Sequence, residues 1–464
     1  MASAPLTLVI GAGISGLSCA YALKKSGQNV VVLEAGARPG GVIQSSEERG
    51  YLVELGPQSF GATGAFGDLL QELGLNDQVL EAPAAAARYV WTGERLVSVP
   101  MTLPAFLASD LLSWKSKCRV FFEPFGTTCP PEGDESVAAF TRRKFSDELF
   151  ERLVDPFVSG IYAGDAEQIS LRAAFPKVYE AEKSAGSVMR GMIRLRQKSG
   201  AGQAVSTRRR SRLITFRSGN ETLVRALADR LGRALCCHTA VEKIAKAGDG
   251  YLAEARRNGA SEQISCARLV IATPAGTAAG LLEGLAPEVS VSLAGIAYAP
   301  LAVVSLGYRR EQIPHGLAGF GFLAPRSSGL RALGTVWNSS LFPDRAPQGQ
   351  VLLTTFVGGA SDPSIVALSP QELSEIVRRD LATVLGVTGP PAMERVTQYT
   401  QAIPQYNLGH TERLEKARHA LRAVPGLWVV GNYWKGPAVG ACFENSLAVA
   451  EQVRISYNSF EAEA

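Results

Sequence analysis

The spacing of apolar residues changes character several times along this chain. Residues 7–10 form an unbroken apolar run, as expected of a strand buried on both faces. The next segment, 14–26, places Leu17, Ala20, Tyr21 and Leu23 on one helical face. A second apolar run, 30–33, ends in Glu34. Strand, helix and strand in that order predict a parallel sheet. From 85 to 205 the pattern turns helical, with bulky apolar residues from Phe106 to Phe125 interrupted by Lys115, Lys117 and Arg119. From 214 to 273 the alternation returns. It predicts a helix over 221–231, strands over 238–244 and 250–255, and a short buried strand, 269–272, running into Thr273-Pro274. Strand-like runs follow at 301–308, 320–323, 332–337 and 351–357, then a helix over 370–385. The chain closes on a buried strand, 427–430, and a helix over 441–453. No repeat of solenoid period is visible.

Composition narrows the reading. With 464 residues, 46% hydrophobic and 19% charged, the chain can fill several cores. A net charge of +4 gives no field for nucleic acid, and no nucleic-acid partner is expected. The seven cysteines include no CxxC pair, which fits free thiols in a reducing compartment and predicts no structural metal. A first strand starting near Leu6 leaves no room for a targeting peptide. The longest stretch without a charge, 289–308, contains Gly295 and Pro300 and reads as a buried helix followed by a strand. No transmembrane helix is expected.

Two glycine-rich segments carry candidate chemistry. In the first, Gly11-Ala12-Gly13-Ile14-Ser15-Gly16 joins the opening strand to its helix. Gly11 permits the tight turn, Gly13 lets backbone approach a pyrophosphate, and Gly16 lets helix and strand pack closely. Glu34 ends the second strand, where it can accept hydrogen bonds from ribose hydroxyls. Arg38, Gly40 and Gly41 follow and could bring a cation and backbone donors to the same pyrophosphate. The second segment, Gly431-Asn432 with Gly436 and Gly440, again links a strand to a helix. Each alone could be a packing turn without a ligand. Together they imply a dinucleotide held from both ends, hence FAD rather than a nicotinamide.

Further motifs lie outside these segments: Gly160-Ile161-Tyr162-Ala163-Gly164-Asp165, Phe342-Pro343-Asp344-Arg345-Ala346-Pro347, and Ile403-Pro404-Gln405-Tyr406-Asn407-Leu408-Gly409-His410. With them the chain resembles the protoporphyrinogen oxidase family of the flavin amine oxidase and phytoene desaturase superfamily, over nearly its whole length. The resemblance implies an α/β plus α+β architecture. A discontinuous Rossmann-like FAD-binding domain (1–87, 206–295, 410–464) carries a helical membrane-binding insertion (88–205) and a β-rich substrate domain (296–409). It implies non-covalent FAD, with further cofactor contacts at Ala35, Gly56, Pro57, Val241, Thr273 and Val439. The implied reaction is six-electron oxidation of protoporphyrinogen IX in three flavin cycles, with O2 as acceptor and H2O2 as product.

For the tetrapyrrole substrate the resemblance implies Arg88 against a propionate, Gly160 lining the cavity, and Leu323, Val336 and Phe356 sandwiching the macrocycle. By residue pattern alone Arg88 would be a surface arginine, and the three apolar residues strand core. No catalytic acid or base is expected. Tyr406 and His410 are expected to shape the interface between flavin and substrate, and Cys442 to pack. The basic residues from Lys183 to Arg217 and the aromatic run from Trp114 to Phe125 suit a membrane surface, on the cytoplasmic face of a bacterial membrane or in an organelle. A homodimer and a contact with the next enzyme of tetrapyrrole synthesis are open expectations. The alternatives are a coproporphyrinogen III oxidase of the same fold, an amine oxidase or carotenoid desaturase, and a non-enzymatic relative that has lost the flavin.

Overall fold

A computed structural model describes residues 5–62, 64–200 and 212–463. The opening strand, Thr7–Ile10, lies at the centre of a five-stranded parallel sheet. Val30–Leu33 pairs on one side, followed by the short strand Leu235–Cys236. Arg268–Ile271 pairs on the other side, followed by the edge strand Leu427–Val429. Strands far apart in sequence thus share one sheet. Their near-continuous Val, Leu and Ile content is explained by apolar clusters on both faces. The helices Ile14–Lys25 and Val439–Glu463 pack against each other on one face, which brings the two glycine-rich segments together.

Beside this sheet stands an antiparallel meander of Thr239–Ala247, Gly250–Arg257 and Ala260–Cys266. Its third strand was not expected from sequence. Polar residues alternate along it because only one face is covered. A larger sheet has seven strands, in the order Met393–Pro404, Tyr298–Arg309, Gln350–Gly358, Ala332–Val336, Gly321–Leu323, Arg88–Trp91 and Leu96–Ser98. The helix Pro370–Leu385 covers this sheet, held by a capping box in which Ser369 and Glu372 serve each other's backbone.

The strands Arg88–Trp91 and Leu96–Ser98 differ from the expected boundary. They belong to the seven-stranded sheet, because Arg88–Trp91 pairs in parallel with Gly321–Leu323. The helical part begins only at Leu103–Ala108 and runs through Val188–Gly200. It is held together by a buried ion cluster. Lys144 Nζ sits 3.1 Å from Glu123 and 3.5 Å from Glu182, and Arg143 bridges Glu182 and Glu135 at 2.8 Å each. Within the basic stretch, residues 201–211 lie outside the described residues, as does the expected boundary at 205/206. Among the described residues no helix is long and apolar enough to cross a membrane, and no group of three or more potential ligands could hold a metal ion.

Candidate active site

A cavity of about 400 Å³ runs between the two glycine-rich segments. At one end it is lined by Gly11, Gly13, Ile14, Ser15, Glu34 and Ala35. Gly40, Gly41 and Pro57 line its middle, with Val241 and Thr273 beside them. Gly431, Asn432 and Val439 close the far end. The glycines divide their roles as the spacing predicts. Gly11 takes φ +98°, which a side chain rarely adopts, and turns the chain off the strand. A Cβ on Gly16 would lie 1.9 Å from the Gly11 carbonyl oxygen, so only glycine allows that approach. A Cβ on Gly13 would meet no atom of the described residues within 4 Å, because it would point into the cavity. The helix Ile14–Lys25 starts there with no side-chain cap among the described residues and no acid in its first turn. Its first N–H groups and its dipole face open space, which suits an anion.

Two backbone donors fix the Glu34 carboxylate, Ala12 N–H at 2.7 Å and Gly36 N–H at 2.8 Å. Ala12 thus serves the site through Glu34 and does not line the cavity. Its carbonyl accepts the Gly40 N–H at 2.7 Å, tying the glycine pair to the helix start. Arg38 departs from the expected role. Its guanidinium donates to the carbonyls of Pro39, Gly41 and Ile43 and to Gln44 Oε1, at 2.7 to 3.2 Å. It braces the loop from within and does not line the cavity. Gly56 and Gly440 are also packing glycines, since a Cβ would come within 2.0 Å of the Val42 oxygen and 2.8 Å of the Gly61 oxygen respectively.

Sequence reasoning left the Tyr406 contacts unassigned. The hydroxyl donates to the Asn432 carbonyl at 2.6 Å and accepts the Gly436 N–H at 2.7 Å, so it clamps both ends of the closing loop. His410 stacks on Tyr406 at 4.3 Å between ring centres, and a ring nitrogen lies 3.0 Å from the Tyr433 carbonyl. Burial lowers the His410 imidazole to about 4 and pushes the Tyr406 phenol well up. Both stay neutral and structural at neutral pH. Burial likewise pushes the Cys442 thiol up to about 11, so it is not a thiolate nucleophile.

A second network joins the segments around Pro57. The buried Glu54 carboxylate accepts from Ser45 at 2.6 Å, the Asn220 N–H at 3.0 Å and Arg345 at 3.3 Å. Arg345 also donates to Thr215 at 2.6 Å. The signal for this network was the arginine in the 342–347 motif, which spacing alone could not pair with Glu54.

The residues fit a dinucleotide. The Gly13 cradle is a space that a side chain would fill. In addition, the buried Thr273 hydroxyl on the cavity wall has no hydrogen-bond partner among the described residues.

A second cavity, about 290 Å³, is lined by all five expected substrate residues: Arg88, Gly160, Leu323, Val336 and Phe356. Leu301 and Ile403 also line it, while Ala402, the neighbour of Ile403 on the strand Met393–Pro404, lines the first cavity. That strand is therefore a shared wall. Arg88 is the one Lys, Arg, His, Asp, Glu or Cys lining the second cavity, and its guanidinium lies 5.3 Å from the centre of the Phe320 ring.

The comparisons agree with this geometry. The model of flavin containing amine oxidoreductases matches residues 14–454. A chloroplastic protoporphyrinogen oxidase from Nicotiana tabacum is 35% identical over 96% of this chain and 85% of its own. A coproporphyrinogen III oxidase from Bacillus subtilis is 31% identical over 95% of this chain and 96% of its own. A crystal structure from Exiguobacterium sp. 255-15, provisionally described as a protoporphyrinogen oxidase, superposes with a TM-score of 0.81 at 25% identity, covering 98% of this chain and 99% of the other. With both glycine segments converging on one elongated cavity, the chain belongs to the flavin containing amine oxidoreductase family and is an FAD-dependent oxidoreductase.

Proposed function

We propose that this protein oxidises protoporphyrinogen IX to protoporphyrin IX, the tetrapyrrole step that precedes metal insertion for haem or chlorophyll. The observation that carries the reading is an apolar second cavity whose lining holds one cation, Arg88. A flat macrocycle suits apolar walls, and a guanidinium suits a propionate through two parallel hydrogen bonds. FAD, when bound, supplies the hydride acceptor and passes electrons to dioxygen. Six electrons leave each macrocycle in three rounds, and three O2 become three H2O2.

The chain's own residues bind, orient and exclude water. Leu323, Val336 and Phe356 grip the ring faces, Gly160 leaves room for it, and Arg88 fixes its direction. The wall contains no Asp, Glu, His, Lys or Cys, so its residues position the substrate and leave proton release to solvent. The sequence of the Bacillus subtilis relative favours a second reading, oxidation of coproporphyrinogen III. That substrate carries four propionates, and one lining cation suits it less well.

Association with a membrane surface is supported by Trp114, Phe121, Phe122 and Phe125, all exposed on the helical part beside Lys115 and Arg119. Phe157 and Ile161, half exposed, line the second cavity and give it an apolar approach. The test is to supply the flavin-loaded protein with each porphyrinogen in air and follow porphyrin fluorescence. A larger kcat/KM for protoporphyrinogen, lowered by Arg88→Ala, is expected. Faster oxidation of coproporphyrinogen, or no porphyrin from either, overturns the reading. Flotation with anionic vesicles, weakened by Phe122→Ser and Phe125→Ser together, tests the surface.

A further inference from the structure

A third cavity, about 380 Å³, lies away from both described sites, beyond the edge strand Leu427–Val429 of the parallel sheet. It opens between the helices His410–Leu421 and Val439–Glu463. Three cations line it, Arg418, Arg422 and Lys435, and no acidic residue does. None of the three has a carboxylate partner among the described residues, whereas Glu415 and Glu451 on the flanking helices are paired with Arg172 and Arg454. Two tryptophans, Trp428 and Trp434, line the same cavity, and the Arg418 guanidinium lies 5.2 Å from the centre of a Trp434 ring. Asn445 also lines it. This residue is 3% exposed, and its side-chain nitrogen is buried with no partner among the described residues.

Each feature is costly or idle without a ligand. Three unpaired cations around one hollow repel one another. A buried amide nitrogen without an acceptor carries a desolvation penalty. An anion answers both, and two tryptophans add faces on which a flat ring can stack. We infer that this hollow is a ligand site for a small planar aromatic anion bearing phosphate or carboxylate groups, with the cations at its mouth and Asn445 donating within. Trp434 and Lys435 belong to the loop between Asn432 and Gly436, whose other side faces the FAD cavity. An occupant would therefore press on the loop that Tyr406 clamps. The inference does not depend on the porphyrin reading.

The test uses FAD-loaded protein and titration calorimetry with three probes: adenosine 5′-monophosphate, naphthalene-2,6-dicarboxylate and inorganic phosphate. Binding of either aromatic anion at one site per chain is expected, with inorganic phosphate weaker by about tenfold or more. The nucleotide binding more tightly assigns the phosphate source, and the dicarboxylate binding more tightly assigns the carboxylate source. The exposed double variant Arg418→Gln/Arg422→Gln should keep its flavin and lose about tenfold or more in affinity. Asn445→Asp, which sets a carboxylate against the anion, should lose binding too. Absence of binding by both aromatic probes at about 1 mM, phosphate binding as tightly as either, or unchanged affinity in the flavin-loaded double variant overturns the site.

Discussion

Gly160 faces Leu323 so closely that a Cβ on the glycine would lie 2.6 Å from Leu323 Cδ2. Gly160 lies within the helix Asp155–Tyr162, and both residues line the second cavity. Glycine inside a helix costs about 1 kcal/mol relative to alanine. Gly160→Ala therefore has opposite effects on fold and site. Its methyl group pushes the end of Leu323 into the cavity, while the helix gains intrinsic stability. The melting temperature should hold or rise, and KM for the porphyrinogen should rise several-fold. A fall in melting temperature with KM unchanged would show that the glycine serves packing alone.

Gly13 and Gly16 differ by three positions and should fail differently. Alanine at Gly16 drives its Cβ against the Gly11 carbonyl, so Gly16→Ala should destabilise the protein even without flavin. Alanine at Gly13 meets no protein atom, so Gly13→Ala should leave the flavin-free fold intact and weaken FAD binding. Thermal melts of flavin-free protein and FAD titration by fluorescence quenching separate the two. Equal melts for both variants would contradict this division.

Much of this was legible because it is local. Gly11, Gly13, Gly16 and Glu34 lie on one strand–helix–strand unit, and their spacing alone dictates a turn, a cradle and an acceptor. The helices Glu221–Leu231 and Pro370–Leu385 fall where their apolar periods place them. What escaped was long-range. Nothing near Arg88 in sequence says that its strand pairs with Gly321–Leu323, and its place in the cavity came from the family resemblance. Arg38 was read as a ligand to phosphate because charge is visible in sequence. The carbonyls that occupy its guanidinium belong to a turn whose path is not. Glu54 and Arg345 meet only after three segments fold together, so neither was singled out.

Two buried groups give the protein opposing pH sensitivities. His410, lowered by burial from 6.5 to about 4, stays neutral in the fold between those values while the unfolded chain takes up a proton. Its contribution is present above pH about 6.5 and is lost as pH falls, by up to about 3 kcal/mol. Glu54, raised by burial from 4.5 to about 6, holds its proton in the fold where the unfolded chain releases it. Its contribution is present at low pH and is lost as pH rises through about 6. Between about pH 4.5 and 6 the slopes oppose each other. Urea unfolding across this range should show a shallow slope in the native protein. It should be steeper, falling with acid, in Glu54→Gln, and reversed in His410→Gln. Identical slopes in all three would mean that neither group titrates differently on folding.

Tyr406 offers the sharpest separation of structure from chemistry. Its phenol is held neutral by burial, so it is a fixed donor to Asn432 and acceptor from Gly436 at any pH the enzyme meets. Tyr406→Phe keeps the ring stacked on His410 and Tyr162 and removes both hydrogen bonds. Each loss costs about 1 kcal/mol, more where the orphaned group stays dry. The cost falls on the loop at the flavin end of the first cavity, so FAD affinity should drop about tenfold or more. KM for the porphyrinogen should barely move, because Tyr406 does not line the second cavity. Measured FAD release against substrate KM decides the matter. A variant that keeps its flavin but loses substrate affinity would place Tyr406 in substrate binding, against the clamp described above.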